Sequence, residues 1–246
     1  MTQDMTPILL DEPMIFACGP DNVCFNDCCR DLNQVLTPYD VLRLKNHLNL
    51  SSRVFLQTYT ERHSGPASGL PVVTLKFSPA TGYACPFVTE TGCSVYPDRP
   101  ASCRLYPLAR AISRSRKSGE IREYYAVIQE AHCKGFRVPG SRTVGQWLEG
   151  QDVAQHNRNN DKLMELIRLK NCMMPGPLSD DQSNLFYLSL YNLDEFRRQI
   201  FNMKLLDGLA VPGPVMDKIC TCDDALLDLG LKWVQYQLFG IDMDEF

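Results

Sequence analysis

No stretch of the 246-residue chain approaches the roughly 20 apolar residues that a bilayer-spanning helix needs, so a transmembrane α-helix is excluded. The opening segment MTQDMTPILLDEPMIFACG has no basic n-region and sets Asp4, Asp11 and Glu12 around a short apolar patch, unlike a secretory signal. The expected compartment is therefore the cytoplasm, where thiols stay reduced. Positive charge is not in excess: 25 Lys and Arg against 29 Asp and Glu leave a net charge of −4. Nothing global draws such a chain to nucleic acid or to an anionic membrane, and neither is expected as a partner. Gly-x-Gly-x-x-Gly, P-loop, His-Glu-x-x-His and Gly-x-Ser-x-Gly motifs are all missing, which leaves nucleotide binding, zinc proteolysis and serine hydrolysis without a signature. The four histidines, His47, His63, His132 and His156, are dispersed, and there is no internal repeat or low-complexity tract. Cys-x-x-Cys is absent too, so the paired knuckles of zinc-ribbon, RING and LIM sites are not there.

Cysteine itself is plentiful. Eight of the eleven lie between Cys18 and Cys133, and four are packed into CGPDNVCFNDCC. An odd total fits a pure disulfide framework poorly, and in a reducing compartment such a concentration points to metal or redox chemistry. Thiolate sulfur favours zinc, copper(I) and iron–sulfur clusters over magnesium, calcium or manganese.

Apolar residues at 44% and charged residues at 22% describe an ordinary globular chain, long enough for one large domain or two small ones. Composition divides it at about residue 140. Residues 1–140 form a cysteine-cluster metal-binding region rich in turn signals, and 141–246 form a helical region packed on it as one compact unit. Thr37-Pro38 reads as an N-cap with proline at N1, followed by Val41, Leu44 and Leu48 on one helical face. A short helix follows over Ser52–Tyr59, RHSGPASGLP is a loop, and LPVVTLKF and REYYAVIQ alternate as strands. The basic run from Arg110 to Arg122 reads as a solvated hairpin or loop. Further on, Thr143 caps a helix through Trp147, and Leu163, Leu166 and Ile167 mark another before the break at Asn171–Leu178. Asp194 caps a helix carrying Phe196, Ile200 and Met203, and Asp223 or Thr221 caps the last one, which ends at Gly240. The predicted class is α+β.

The adjacent pair Cys28-Cys29 constrains the site. Neighbouring side chains diverge by about 100° on a helix and about 180° on a strand, so two such sulfurs grip one small ion only through a strained turn. A cluster several ångströms across, or two separate sites, accepts them more readily. If 24–29 is helical, Cys24 and Cys28 share a face and Cys29 points to another site or to the far side of the same cluster. Cys172 reads as a small buried hydrophobe, and Cys220 and Cys222 as helix-start packing or additional ligands.

The strings FACGPDNVCFNDCC, CPF, GCSVYPDRPASCRLYP and HCKG, in that order, resemble the CxxCxxCC family of zinc- or iron-chelating proteins over about residues 14–137. The resemblance implies Cys18, Cys24, Cys28, Cys29, Cys85, Cys93, Cys103 and Cys133 as metal and cofactor ligands. The gaps in the opening run are longer here than the family's two, and Cys18 is the residue this affects most. The implied cofactor is an iron–sulfur cluster, one or two, of the 4Fe-4S type foremost, with zinc as the alternative. The family includes flagellin lysine N-methylases, which implies S-adenosylmethionine-dependent methyl transfer as an alternative to a redox or structural role. The radical S-adenosylmethionine signature Cys-x3-Cys-x2-Cys is nevertheless absent, because Cys29 directly follows Cys24-x3-Cys28.

Within the matching stretch, the turn-rich Tyr96–Pro100 segment can hold Cys93 and Cys103 toward one centre. Arg99 and Arg104 beside those thiolates read either as cations that raise a cluster's potential or as ordinary ion pairs. His132, beside Cys133, reads as an exposed residue or as a group supporting the ligands. An electron-transfer partner or a protein substrate follows from one role or the other.

Overall fold

The structure is a computed structural model that describes residues 4–66, 68–115, 117–137, 141–209 and 211–243. Ala67 of the RHSGPASGLP loop, Arg116 of the basic run and the boundary residue Gly140 lie outside the described residues. In chain order the elements are β1 (Asp4–Ile8), β2 (Pro13–Met14), β3 (Val35–Leu36), α1 (Pro38–His47), α2 (Ser52–Tyr59), β4 (Thr60–Ser64) and β5 (Pro71–Leu75). There follow β6 (Val88–Thr89), β7 (Gly92–Cys93), α3 (Ala101–Leu105), β8 (Leu108–Arg114), β9 (Ile121–Gln129) and β10 (Arg142–Thr143). The remainder is helical: α4 (Val144–Gly150), α5 (Ala154–Met173), α6 (Asp180–Leu190), α7 (Leu193–Asn202), α8 (Gly213–Thr221) and α9 (Asp223–Phe239). The α+β class is borne out. Among the described residues no helix is long and apolar enough to cross a membrane.

These elements form two compact units, and neither is continuous in sequence. One comprises 1–32 and 77–157; the other comprises 33–76 and 158–246. The division therefore runs differently from a boundary at residue 140. The segment 33–76 belongs with the later helices, and 141–157 belongs with the cysteines. All eight clustered cysteines fall in the first unit, and Cys172, Cys220 and Cys222 fall in the second.

In the first unit β9 is the middle strand of an antiparallel sheet ordered β1-β9-β8. The basic run supplies the β8–β9 hairpin, as the sequence predicts, and Arg110 pairs there with Glu123 at 2.6 Å. Tyr125 and Val127 of β9 face a core with Met14, Phe16, Leu108, Val144 and Trp147, and Cys133 and Tyr106 pack on its flank. Thr143 caps α4 in a full capping box with Gln146. The site is thus carried on the edge of a real core.

In the second unit the sheet is ordered β3-β5-β4, and β4, which begins at Thr60, runs on through Arg62–Ser64, the start of the predicted loop. The capping box of Thr37 and Asp40 starts α1, and Gly240, at φ 66, closes α9. Helices α6 and α8 add to those predicted. The first was announced by Ser179 with Gln182 three residues on, again a capping box. Asp194 is not the cap of α7. Asn192 occupies that position, and the Asp194 carboxylate instead accepts from Ser52 N at 2.5 Å and from Ser52 Oγ at 2.9 Å. Met203 lies past the end of α7 and is exposed. The last helix is likewise capped by Cys222, not by Asp223 or Thr221.

Candidate metal centre

Phe16 fixes where the cysteine run begins. Its ring, 2% exposed, meets Trp147 edge-on at 5.3 Å and Phe136 at 5.0 Å. Gly135 allows the next contact, since a Cβ there would stand 2.5 Å from Phe16 Cε2 and 2.8 Å from Ala17 O. On that bare backbone Ala17 N donates to Gly135 O at 3.1 Å, and Lys134 N donates to Cys24 Sγ at 3.2 Å. Asn22 Nδ2 closes the loop on Ala17 O at 2.8 Å. Residues 17–24 are therefore docked on 133–135, and Cys18, Cys24, Cys28 and Cys133 line one cleft with Tyr106 and His132.

The run then turns to other partners. It is not an α-helix: a single 3-10 turn covers Asp27–Cys29, entered through Asn26 at φ 71. Asn26 Nδ2 donates to Thr89 O at 3.0 Å, Cys85 N to Cys29 O at 2.8 Å, and Asp31 N to Tyr83 O at 2.9 Å. The Phe25 ring lies over Gly92, whose φ of 121° no other residue takes easily and whose Cβ would come within 3.2 Å of that ring. Residues 25–31 are thus docked on 83–92. Cys93 sits in β7, and Cys103 is carried by α3.

The thiols feel one another in a matching pattern. Cys18 is open on one flank; on the other, burial and then Cys28, Cys24 and Cys133 push its thiol up to about 11. Cys28 and Cys29 share a hydrogen bond that lowers the Cys28 thiol and raises that of Cys29, with Cys85 and Cys103 raising Cys29 further. Burial pushes Cys85 up against the pull of the Phe87 and Val88 N–H groups, with Cys93 adding to the rise. Burial likewise raises Cys93 against the Val95 N–H and the Arg99 charge. Crowded sulfurs resist ionisation because each new thiolate repels the next, and a bound cation reverses that balance.

Arg104 is 3% exposed and donates to backbone carbonyls: Nε to Arg99 O at 3.0 Å, Nη1 to Gln151 O at 2.9 Å, and Nη2 to Pro97 O. It is a clamp on the turn between Cys93 and Cys103. Arg99 stacks over Tyr96 at 3.8 Å, reaches Gln151 Oε1 at 2.5 Å, and also lends its charge to Cys93. His132 is partly exposed and stands 3.7 Å from Glu130. Tyr106 is a residue sequence reasoning missed; its one signal was its place in the string CRLYP. Its hydroxyl is buried without a partner at bonding distance, and Cys133 and Glu130 are the ionisable groups that face it.

Among the described residues, which include all eleven cysteines, there is no disulfide. Among the described residues no three His, Cys, Asp or Glu side chains are drawn together as the shell of a single metal ion. The donor set nonetheless fits a soft metal: sulfurs crowded in one unit, backbone N–H groups aimed at Cys24, Cys85 and Cys93, and an unpartnered Tyr106 hydroxyl beside Cys133. Cys172 and Cys220 belong to the second unit and are exposed, so Cys172 is not the buried packing residue its sequence context predicts.

No curated protein and no solved structure matches the chain. A family model does match, that of CxxCxxCC, described as "Putative zinc- or iron-chelating domain", over residues 17–134. The matched stretch begins one residue before Cys18, ends one residue after Cys133, and encloses all eight thiols of the first unit. Over these residues, just under half of the chain, the sequence is similar to that family.

Proposed function

We propose that the eight thiols of the first unit hold iron–sulfur clusters of the 4Fe-4S type, in a protein whose role is redox or structural. The observation that carries this reading is the Cys28–Cys29 pair. Cys28 lines the cleft with Cys18, Cys24 and Cys133, while its neighbour faces Cys85 and Cys103. Sulfurs spread on both sides of one dipeptide suit polynuclear centres better than a single tetrahedral ion, whose sulfurs all lie about 2.3 Å from one point. Such a cluster would supply one-electron chemistry; the protein's part is to tune and enclose it. The N–H groups at Cys24, Cys85 and Cys93, the Arg99 charge and the Tyr106 hydroxyl all stabilise negative sulfur, which favours the reduced state. The net charge of −4 accords with a redox protein partner and not nucleic acid or a membrane surface.

Zinc is the second reading, favoured by the family's description as zinc- or iron-chelating. One experiment separates the two. Protein made and purified without oxygen is expected to be brown, with iron and acid-labile sulfide in comparable amounts and broad visible absorption that air bleaches. Colourless protein with stoichiometric zinc and no sulfide would establish the zinc reading instead.

A further inference from the structure

We infer that the Cys28–Cys29 peptide bond is the border between two separate metal centres, one held by Cys18, Cys24, Cys28 and Cys133 and the other by Cys29, Cys85, Cys93 and Cys103. This rests on the metal-binding reading and adds the number of centres and the ligand set of each.

The backbone and the sulfurs divide the opening run in the same way except at Cys28, whose backbone lies in the segment docked on 83–92 while its side chain lines the cleft of Cys18, Cys24 and Cys133. Residues 17–24 are tied to 133–135 through Ala17–Gly135 and Lys134–Cys24, whereas 25–31 are tied to 83–92 through Asn26–Thr89, Cys29–Cys85 and Asp31–Tyr83. Four sulfurs line one cleft, and Cys29 is absent from it. Of the remaining four, Cys85 N donates to Cys29 O at 2.8 Å, and Cys93 pairs across β6–β7 with Val88, whose N–H donates to Cys85 O at 3.1 Å. A dipeptide whose side chains diverge is the natural place for such a border. Cys28 is also felt at Cys85 and Cys93, so the centres are close neighbours.

The two surroundings differ. The first set has the Tyr106 hydroxyl, His132 and Glu130 at hand, with Glu130 the charged neighbour that counts against negative sulfur. The second has Arg99 and the N–H groups of Phe87, Val88 and Val95.

The test uses the full chain purified without oxygen. Native mass spectrometry of the wild type is expected to count two centres per chain, about eight iron atoms for two 4Fe-4S clusters. Cys133→Ser and Cys93→Ser should each lose about half of the metal, and each should leave a different electron paramagnetic resonance signal. The double variant Cys24→Ser/Cys133→Ser should lose no more than Cys133→Ser alone, whereas Cys93→Ser/Cys133→Ser should lose nearly all. Cys172→Ala should retain the full content. One centre per chain in the wild type, or equal losses for within-set and cross-set doubles, overturns the partition while leaving metal binding intact. A wild type without metal overturns the metal-binding reading itself. The wild-type count needs no variant to fold, so it decides the number of centres even if a serine variant proves unstable.

Discussion

At the scale of single residues, the first unit relies on an arginine for work that a metal ligand cannot do. Arg104 satisfies two backbone carbonyls of the turn that separates Cys93 from Cys103 and ties them to the carbonyl of Gln151, and its side chain is almost without solvent. Removing it takes the donor from all three, and an acceptor left buried and unpaired, as at Arg99, costs about 1–3 kcal/mol before relaxation. Arg104→Ala is therefore expected to lower unfolding stability by about 3 kcal/mol and to reduce metal content, both measured on anaerobically purified protein. Arg104→Lys should recover little, because an ammonium lacks the planar fork that reaches three acceptors at once. Wild-type stability in the alanine variant would show that the clamp is dispensable. The sequence placed Arg104 beside a ligand but left its role open, since the side chain's target carbonyls lie at Pro97, Arg99 and the distant Gln151.

At the scale of elements, the cysteine run has no regular structure of its own and takes its shape from two glycines on other segments. Gly135 lets the Phe16–Ala17 backbone approach the turn that carries Cys133, and Gly92 lets the Phe25 ring settle over the β6–β7 turn. Gly135→Ala would press a methyl carbon to 2.5 Å from the Phe16 ring and 2.8 Å from Ala17 O, a contact relieved only by moving the backbone. Overpacking of that kind costs about 1–3 kcal/mol. Because it separates Cys18 and Cys24 from Cys133, the variant is expected to lose about half of its bound metal, from the centre that includes Cys133. Unchanged metal and stability would mean that the 17–24 loop is not held by this contact. Elements with strong local signals were legible: the boxed caps at Thr37 and Thr143, the alternating strands, and the Gly240 stop. The cap of α7 was not, because Asn192 and Asp194 are equally good capping residues and the choice is settled by Ser52, 142 residues away, which engages Asp194.

At the scale of the whole molecule, the discontinuous units were the feature least open to reading from sequence. Composition changes near residue 140, but membership is decided by long-range pairing. In the second unit Lys45 meets Asp223 at 2.7 Å across 178 residues, and Tyr191 Oη donates to Leu36 O at 3.2 Å. Asp223 is the keystone of that pairing, since Arg197 also reaches it at 2.5 Å. Burial pushes the Asp223 carboxyl up, but the hydrogen bonds and charges of Arg197 and Lys45 outweigh it and hold the group below its usual 3.8. A carboxyl depressed in the folded state contributes stability that is fully present above its unfolded value and is lost as pH falls through the folded one. Asp223→Asn leaves Lys45 and Arg197 with a weaker partner in a largely buried setting, at a cost of about 3 kcal/mol near neutral pH. The difference between wild type and variant should shrink as pH drops below 3.8, where the unfolded wild-type carboxyl takes up its proton, and fade once pH has fallen through the lower folded value. The measurement is denaturant unfolding in a Trp147→Phe background, where Trp233 of the second unit becomes the sole tryptophan. A difference that persists unchanged from neutral pH down to about pH 2 would show that the Asp223 charge does not join the two segments of this unit.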